Sequence, residues 1–323
     1  MRDRSGAVRG AADGRGERAR GHAVPPRPAP ADAVTDTTES VVTELNVALG
    51  TDYRLVRQLP GGFQSSAYEL SDVGPRVVLK WCDDPGWAPR VHRAAELVRR
   101  ARAAGYPTPA WLAVGTTAAG SPYQLQTYVE GRSLADASSI GPSLARELIR
   151  ISETQRDLVP DQDSNWSVWS AGVVFDGWDG VWDRVLGYGG EATDLLERYG
   201  ALCRPYRDHA LPVDDLVHGD LNVGNVIVDN GRVAGIIDIE AAGGGSRAYD
   251  LVSLATSATR DGAPAGVDEL FLEAALRAGG RTVVAICAAA AYATIAEFVR
   301  DRSTYSQELV LDGARRLLEL LDA

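Results

Sequence analysis

Lysine is all but missing from this chain. Of 33 cationic side chains in 323 residues, Lys80 alone is lysine and the rest are arginine. A bias toward Arg, Ala and Gly accounts for the missing lysines, but not for the one that remains. Cysteine is scarce as well. Cys82, Cys203 and Cys287 lie far apart with no C-x-x-C pair, which excludes a disulfide framework and a zinc site of the usual spacing. The four histidines, His22, His92, His209 and His218, show no H-E-x-x-H pattern. There is no long apolar run either. The stretch "VVAICAAAAYATIA" (283–296) is too short and too alanine-rich to span a bilayer and reads as a buried helix. The first residues carry arginines but no apolar h-region, so no signal peptide is visible. A reducing cytoplasm is the simplest compartment, and no membrane partner is expected.

Positive charge is in deficit too, and unevenly so. The net charge is −11, yet residues 1–30 hold seven arginines against Asp3, Asp13 and Glu17, which leaves the rest of the chain near −15. An acidic body argues against a nucleic-acid surface and suits cationic or metal-bridged ligands. Residues 1–38 are rich in Arg, Gly, Ala and Pro, with "VPPRPAPA" at 24–31, and read as a disordered N-terminal tail. A nucleic-acid-binding arm there would rest on dispersed arginines without an aromatic residue, so a nucleic-acid partner is not expected.

The remainder, in a chain that is 45% hydrophobic, has the makings of a core. A short helix at 40–50 ends at Gly50. Strand-like runs follow at 53–59, 66–71 and 76–81, separated by "PGGFQS" and "DVGP", both of which have turn chemistry. A helical pattern fills 88–105, and two more strand runs occupy 111–116 and 123–129. Residues 39–130 thus form a small α+β unit. From 131 to 323 the pattern is mainly helical, interrupted by strand runs at 225–228 and 233–238 around the turn "DNGR". No internal repeat is visible.

The densest chemistry lies in "LVHGDLNVGNVIVDNGRVAGIIDIE" (216–240). Asp220 is a carboxylate able to accept a hydroxyl proton. Asn225 and Asp238 are hard oxygen donors suited to Mg²⁺, and a hairpin brings them to neighbouring strand ends. Any one of these alone is an ordinary turn residue; four together with His218 at this spacing are not. The H-x-D-x-x-x-x-N spacing matches the protein-kinase catalytic loop, with Gly219 in place of the usual arginine.

"HGDLNVGN", "GIIDIE" and "AYDLVSLA" resemble the aminoglycoside phosphotransferase and choline kinase-like family over about residues 50–305, most specifically over 216–256. The resemblance implies a two-lobed, protein-kinase-like α+β fold. A small antiparallel lobe with one helix (39–130) would bind the nucleotide, and a larger helical lobe (131–323) would carry the catalytic loop and bind the acceptor. It further implies Asp220 as base, His218 as a loop-shaping residue, and Asn225 and Asp238 as magnesium ligands. Asp250, which could otherwise be a helix N-cap, would buttress the loop. One departure is visible: "GSRAYDL" places Ser246 and Arg247 where relatives often read G-D-P, which puts the local bracing of the loop in doubt.

Lys80 ends the third strand run, and Glu96 lies in the helix that follows. In kinases such a lysine touches the α- and β-phosphates and pairs with a glutamate of the next helix. The competing reading makes Lys80 an edge charge facing water and Glu96 the i,i+4 partner of Arg100. Gly61, Gly62, Ser65 and Ser66 would form the nucleotide loop, and Thr127 and Val129 the hinge to adenine. Glu240 is a further candidate near the site. Trp166, Trp169, Trp178 and Trp182 stand among Asp161, Asp163, Asp176, Asp179, Asp183, Glu191 and Asp194, and could hold an amine-bearing acceptor. The plainer reading, which we favour for most of them, packs the indoles and leaves the acids to water. Together these features predict a Mg²⁺- and ATP-dependent (or GTP-dependent) kinase. Its acceptor would be the hydroxyl of an antibiotic, an amino alcohol or a sugar. A choline-, homoserine- or sugar-type metabolite kinase and a nucleotide-binding pseudokinase are the alternatives. No pattern speaks to oligomeric state.

Overall fold

Alternation along "VVLKW" fixes the geometry of the first lobe, because successive strand residues point to opposite faces. The computed structural model describes residues 31–60, 66–71, 74–137, 139–159, 165–300, 302 and 306–322. Five strands, β1 (Arg54–Gln58), β2 (Ser66–Ser71), β3 (Val77–Trp81), β4 (Trp111–Thr116) and β5 (Pro122–Thr127), form one antiparallel sheet in the order β1-β2-β3-β5-β4. Val77, Leu79 and Trp81 of β3 share one face with Tyr68, Leu70, Tyr123 and Leu125, and helix α1 (Ala31–Leu49) covers that face with Val41, Val42 and Leu45. Each fully buried Leu among these contributes about 1.5–3 kcal/mol. The opposite face of β3 and β5 presents Lys80 and Gln124, which are register partners.

α1 begins at Ala31, well before the expected start at 40, and so takes in residues 31–38 that composition assigned to the tail. Residues 1–30 lie outside the described chain. After Pro30 no proline or glycine interrupts the stretch until Gly50. The helix is tied to the sheet near its middle, where Trp81 Nε1 donates to the buried Thr38 Oγ1 at 3.3 Å. Tail composition could not reveal a sheet face in need of cover.

Helix α2 (Ala88–Ala103) joins β3 to β4 and buries Val91, Ala94, Leu97, Val98 and Ala101. The second lobe starts at β6 (Arg132–Ser133), followed by α3 (Leu134–Ala137), α4 (Pro142–Ser152), α5 (Trp166–Asp176), α6 (Val181–Leu186) and α7 (Gly190–Cys203). Next come four short strands, β7 (Asp215–Val217), β8 (Val226–Asp229), β9 (Arg232–Ile236) and β10 (Gly243–Gly245). Helices α8 (Ala248–Arg260), α9 (Val267–Arg300) and α10 (Gln307–Asp322) complete the chain. The apolar run 283–296 lies in α9, which breaks at Gly280 (φ 73°, ψ 171°); Val283 through Ala290 are all buried in the lobe's core.

Two elements were not apparent in the sequence. The helix expected over 142–158 stops at Ser152 and gives way to a tight turn at Glu153–Gln155, which swings the fully buried Gln155 under the loop that starts at His218. β10 is three consecutive glycines, a poor strand former by composition. It pairs with β7, and Gly244 also bridges Asn165. A Cβ on Gly244 would lie 2.7 Å from the Val213 carbonyl, so only glycine permits this approach.

Candidate active site

The loop over 218–225 runs from β7 into the β8–β9 hairpin, and three devices shape it. Gly219 takes φ +85°, and a Cβ there would lie 2.2 Å from the Trp166 ring. The position therefore needs glycine twice over, for its conformation and for the indole laid across it. Trp166 is itself fixed by Nε1 donating to the Ala241 carbonyl at 3.0 Å. Asp250, fully buried in the first turn of α8, accepts from the backbone N–H groups of His218 (2.8 Å) and Gly219 (3.1 Å) and from Gln155 Nε2 (2.6 Å). The buried His218 accepts at Nδ1 from the Asp220 N–H (3.3 Å), which assigns the ring proton to Nε2, 2.8 Å from the Ile237 carbonyl. The imidazole thereby ties the loop to the end of β9.

Asp220 opens into the cleft between the lobes. Asn225 Nδ2 donates to its carbonyl (2.8 Å) and to Oδ2 (3.2 Å), while Asn222 Nδ2 donates to Oδ1 (3.1 Å). Desolvation between the lobes pushes the Asp220 carboxyl above its ordinary value, and the neighbouring Asp238 charge pushes the same way. The carboxylate is nevertheless open to water on its cleft side.

Asn225 directs its amide N–H groups at Asp220, which leaves Oδ1 as a hard oxygen donor. The Ile237 N–H donates to the Asn225 carbonyl at 2.9 Å, bringing Asp238 alongside. Asp238 sits at φ 64°, a strained left-handed conformation of the kind that gathers at functional sites. Among the described residues no cluster of three or more His, Cys, Asp or Glu is placed to hold a metal ion. Magnesium, however, commonly takes one or two protein carboxylates and completes its shell with phosphate and water. The Asp238 carboxylate and the Asn225 carbonyl match that demand.

Lys80, 5% exposed, reaches across from the sheet. Its Nζ lies 2.9 Å from Asp238 Oδ1 and ion-pairs with the Glu240 carboxylate. Burial opposes the ammonium, but Glu240 and Asp238 outweigh it and hold the lysine above its ordinary value. Burial likewise opposes the Asp238 carboxylate, and Lys80 more than offsets that, so Asp238 lies below its ordinary value. Gln124 Nε2 also donates to the Glu240 carboxylate, and Arg90 Nε donates to the Glu240 carbonyl at 3.1 Å.

The expected Lys80–Glu96 pair does not form. Glu96 is exposed and binds Arg99 (2.6 Å) and Arg100 (2.9 Å) on its own helix. The reason is helical phase: with Ala94 and Val98 on the buried face, a residue midway between them points away. Glu240, two residues beyond Asp238, takes the place at the lysine.

The hinge also differs in part from expectation. The Thr127 N–H donates to the Ala110 carbonyl (2.9 Å) and its Oγ1 accepts from the Ala110 N–H (3.0 Å), so both groups are already engaged. Val129 packs against Gly235, and a cavity of about 390 Å³ opens beside 127–130, bounded by Arg102, Pro107 and Asp229. Ser66 opens β2 opposite Trp81; Gly61, Gly62 and Ser65 lie outside the described residues. The departure at 246–247 is braced by a buried ion pair. Arg247 binds Asp215 at 2.9 Å and reaches Glu153 at 3.2 Å, while Asp215 Oδ1 accepts from the Asp157 N–H.

Trp166, Trp169 and Tyr249 cluster beneath the loop, with ring centroids 5.0–6.4 Å apart. Trp178 covers Gly172 and Trp182 lies against Gly200. Asp176 pairs with Arg207, Glu191 with Arg315, and Asp179 accepts from Trp169 Nε1. Asp183 and Asp194 face water; Asp161 and Asp163 lie outside the described residues. Sequence reasoning missed Gln155, Gln124, Arg90 and the Arg247–Asp215 pair. Only Arg90 carried a readable signal, since it lies one helical turn before Ala94 on the buried side of α2.

Residues 55–287 match the family described as "Phosphotransferase enzyme family". No curated protein matches the chain by sequence. Among solved structures, aminoglycoside phosphotransferase APH(4)-Ia is similar at 17% identity and a TM-score of 0.62, covering 88% of this chain and 99% of that one. A thermostable mutant of it, in ternary complex with AMP-PNP and hygromycin B, gives 18% and 0.63, covering 87% and 98%. The GDP complex of wild-type aminoglycoside 2'-phosphotransferase-IIIa gives 18% and 0.60, covering 88% and 98%. At these identities the likeness is one of fold: an antiparallel N-terminal sheet on a helical C-terminal part, protein-kinase-like in plan.

Proposed function

Because this chain belongs to the phosphotransferase enzyme family, we propose that it transfers the γ-phosphoryl group of ATP to a hydroxyl of a small, amine-bearing acceptor. The observation that carries this reading is the convergence of Asp220, Asn225, Asp238 and Lys80 from two lobes onto one cleft. Solved structures of similar fold are complexes with AMP-PNP and with GDP, one of them also holding an aminoglycoside, hygromycin B. That supports a nucleotide as donor and a polar, hydroxyl-rich molecule as acceptor.

In the proposed reaction the acceptor oxygen attacks the γ-phosphorus, the bond to the bridging oxygen breaks, and the diphosphate leaves with its electrons. Asp220 takes the acceptor's proton. A carboxylate raised above its ordinary value is a better base than a free one. Asn222 and Asn225 orient it, and His218 and Asp250 hold the loop that presents it. Asp238 and Asn225 would hold magnesium, whose charge offsets that of the phosphates. Lys80 would contact the phosphates, oriented by Glu240 from the catalytic segment and not by an acid of α2.

The test is incubation with Mg-ATP or Mg-GTP and a panel of aminoglycosides, amino alcohols, sugars and nucleosides, read by mass spectrometry for one added phosphoryl group. One class should be modified by the native protein, and Asp220→Ala should abolish that while leaving nucleotide affinity near native. Undiminished transfer by Asp220→Ala would remove Asp220 from the base role. Nucleotide binding without turnover on any acceptor would favour a regulatory pseudokinase.

A further inference from the structure

The N-terminal turn of α2 points a cation at the cleft where an acid was expected. Arg90 is half-buried and stacks on the Trp87 ring, 4.7 Å from its centroid. Its Nε is spent on the Glu240 carbonyl at 3.1 Å, which anchors the guanidinium to the segment carrying Asp238. Among the described residues no carboxylate pairs with it, although Glu240 and Asp220 both bear on its charge electrostatically. The first turn of α2 holds no acidic residue, and Arg93 adds to the repulsion. A cation here opposes the helix dipole, so helix stability does not account for it. Lys80 is already bracketed by two carboxylates. A nucleoside triphosphate entering this acidic cleft would need a second cation, and Arg90, whose terminal N–H groups carry no bond among the described residues, can supply it.

We propose that Arg90 is a substrate-binding residue whose free guanidinium nitrogens, held by Glu240 and Trp87, grip the γ-phosphoryl group of the bound nucleotide. This rests on the phosphotransfer reading and adds to it a γ-phosphate contact from α2. The position follows from the anchors: the guanidinium is fixed beside Glu240 and acts on Asp220, the residue nearest the transferred group in the proposed reaction. Fork geometry suits two phosphoryl oxygens at once.

The experiment is calorimetric titration of the full-length protein with the magnesium complexes of ADP and of a non-hydrolysable ATP analogue. Arg90→Gln keeps an amide donor for the Glu240 carbonyl without the charge; Arg90→Lys keeps charge without the fork. Wild type should bind both nucleotides. Arg90→Gln should weaken the triphosphate about tenfold to a hundredfold and leave the diphosphate within about twofold, with Arg90→Lys between. Equal weakening of both nucleotides, or none, would mean that Arg90 only anchors Glu240 and would overturn the proposal. Should either variant melt well below wild type, the affinity ratio of the two nucleotides within the folded fraction decides, because misfolding lowers both together. Wild type binding neither nucleotide would instead sink the phosphotransfer reading itself.

Discussion

Replacing Lys80 by methionine keeps the length of the side chain and removes one charge from between two carboxylates. Lys80 is 6% exposed at its side chain, Glu240 12% and Asp238 32%. Breaking a buried ion pair costs about 3–5 kcal/mol. Asp238 is a third open to water, so its share must be discounted, and about 2–3 kcal/mol at pH 7 is the expected loss. The pH dependence is more diagnostic than the size. In the wild type, burial alone would raise Asp238, and the ammonium reverses that. The pair's contribution is therefore present above the ordinary carboxylate pKa of about 3.9 and is lost as pH falls through the lower folded value. In Lys80→Met the main charge opposing burial is gone, and only the smaller effect of His218 remains against it. Asp238 then titrates above its ordinary value, and its penalty is largest at neutral pH and relieved on acidification. Between pH 7 and pH 4 the wild-type contribution stays constant, so the relief in the mutant alone narrows the gap, by at most about 1.4 kcal/mol per pH unit for one proton. Urea unfolding at pH 7, 6, 5 and 4 measures it. A stability difference that stays level, or widens on acidification, would show that Lys80 is not the charge holding Asp238.

Asp250→Asn should cost about 2–3 kcal/mol, because one amide oxygen cannot replace a carboxylate that accepts three hydrogen bonds in the interior; an unchanged melting temperature would count against the buttress. Gly219→Ala should destabilise by more than about 2 kcal/mol through its positive φ and the Trp166 ring. In a double-mutant cycle with Trp166→Ala the two costs should fall short of additivity, and strict additivity would deny the contact. Glu96→Gln should leave both the melting temperature and nucleotide affinity near wild type, because its partners are exposed arginines of its own helix; a collapse in affinity would restore Glu96 to the site.

What could be read in advance depended on whether partners lie close in sequence. His218, Asp220 and Asn225 fall within eight residues, and Asp238 follows one hairpin later, so spacing alone juxtaposes them. Lys80 was legible because it stands alone among arginines and at the end of a strand whose parity is clear. The strand runs and the division into a sheet-rich and a helical part likewise follow from local turn and periodicity signals. Glu96 misled because distance along the chain was weighed without helical phase, which favours Arg90. Gln155, Gln124 and the Asp215–Arg247 pair were invisible because each depends on contacts between segments dozens of residues apart, and nothing local marks a glutamine as buried. The glycine strand 243–245 contradicts propensity because close approach to Asn165 and Val213 decides it, and that is a tertiary condition.

Glu240 is gripped from both ends by the opposite lobe. Lys80 and Gln124 hold its carboxylate from the sheet, and Arg90 holds its carbonyl from the connecting helix. It thus works as a clasp, and the short turn from Asp238 to Ala241 is the strap it fastens. Any swing of the lobes that widens the cleft must either unfasten all three grips or carry the strap along. In the second case Asp238 is drawn away from Asn225, and the pair of oxygen donors comes apart as the door opens. If those donors hold the ion as proposed, departure of the spent nucleotide and loss of the ion's seat would be a single motion.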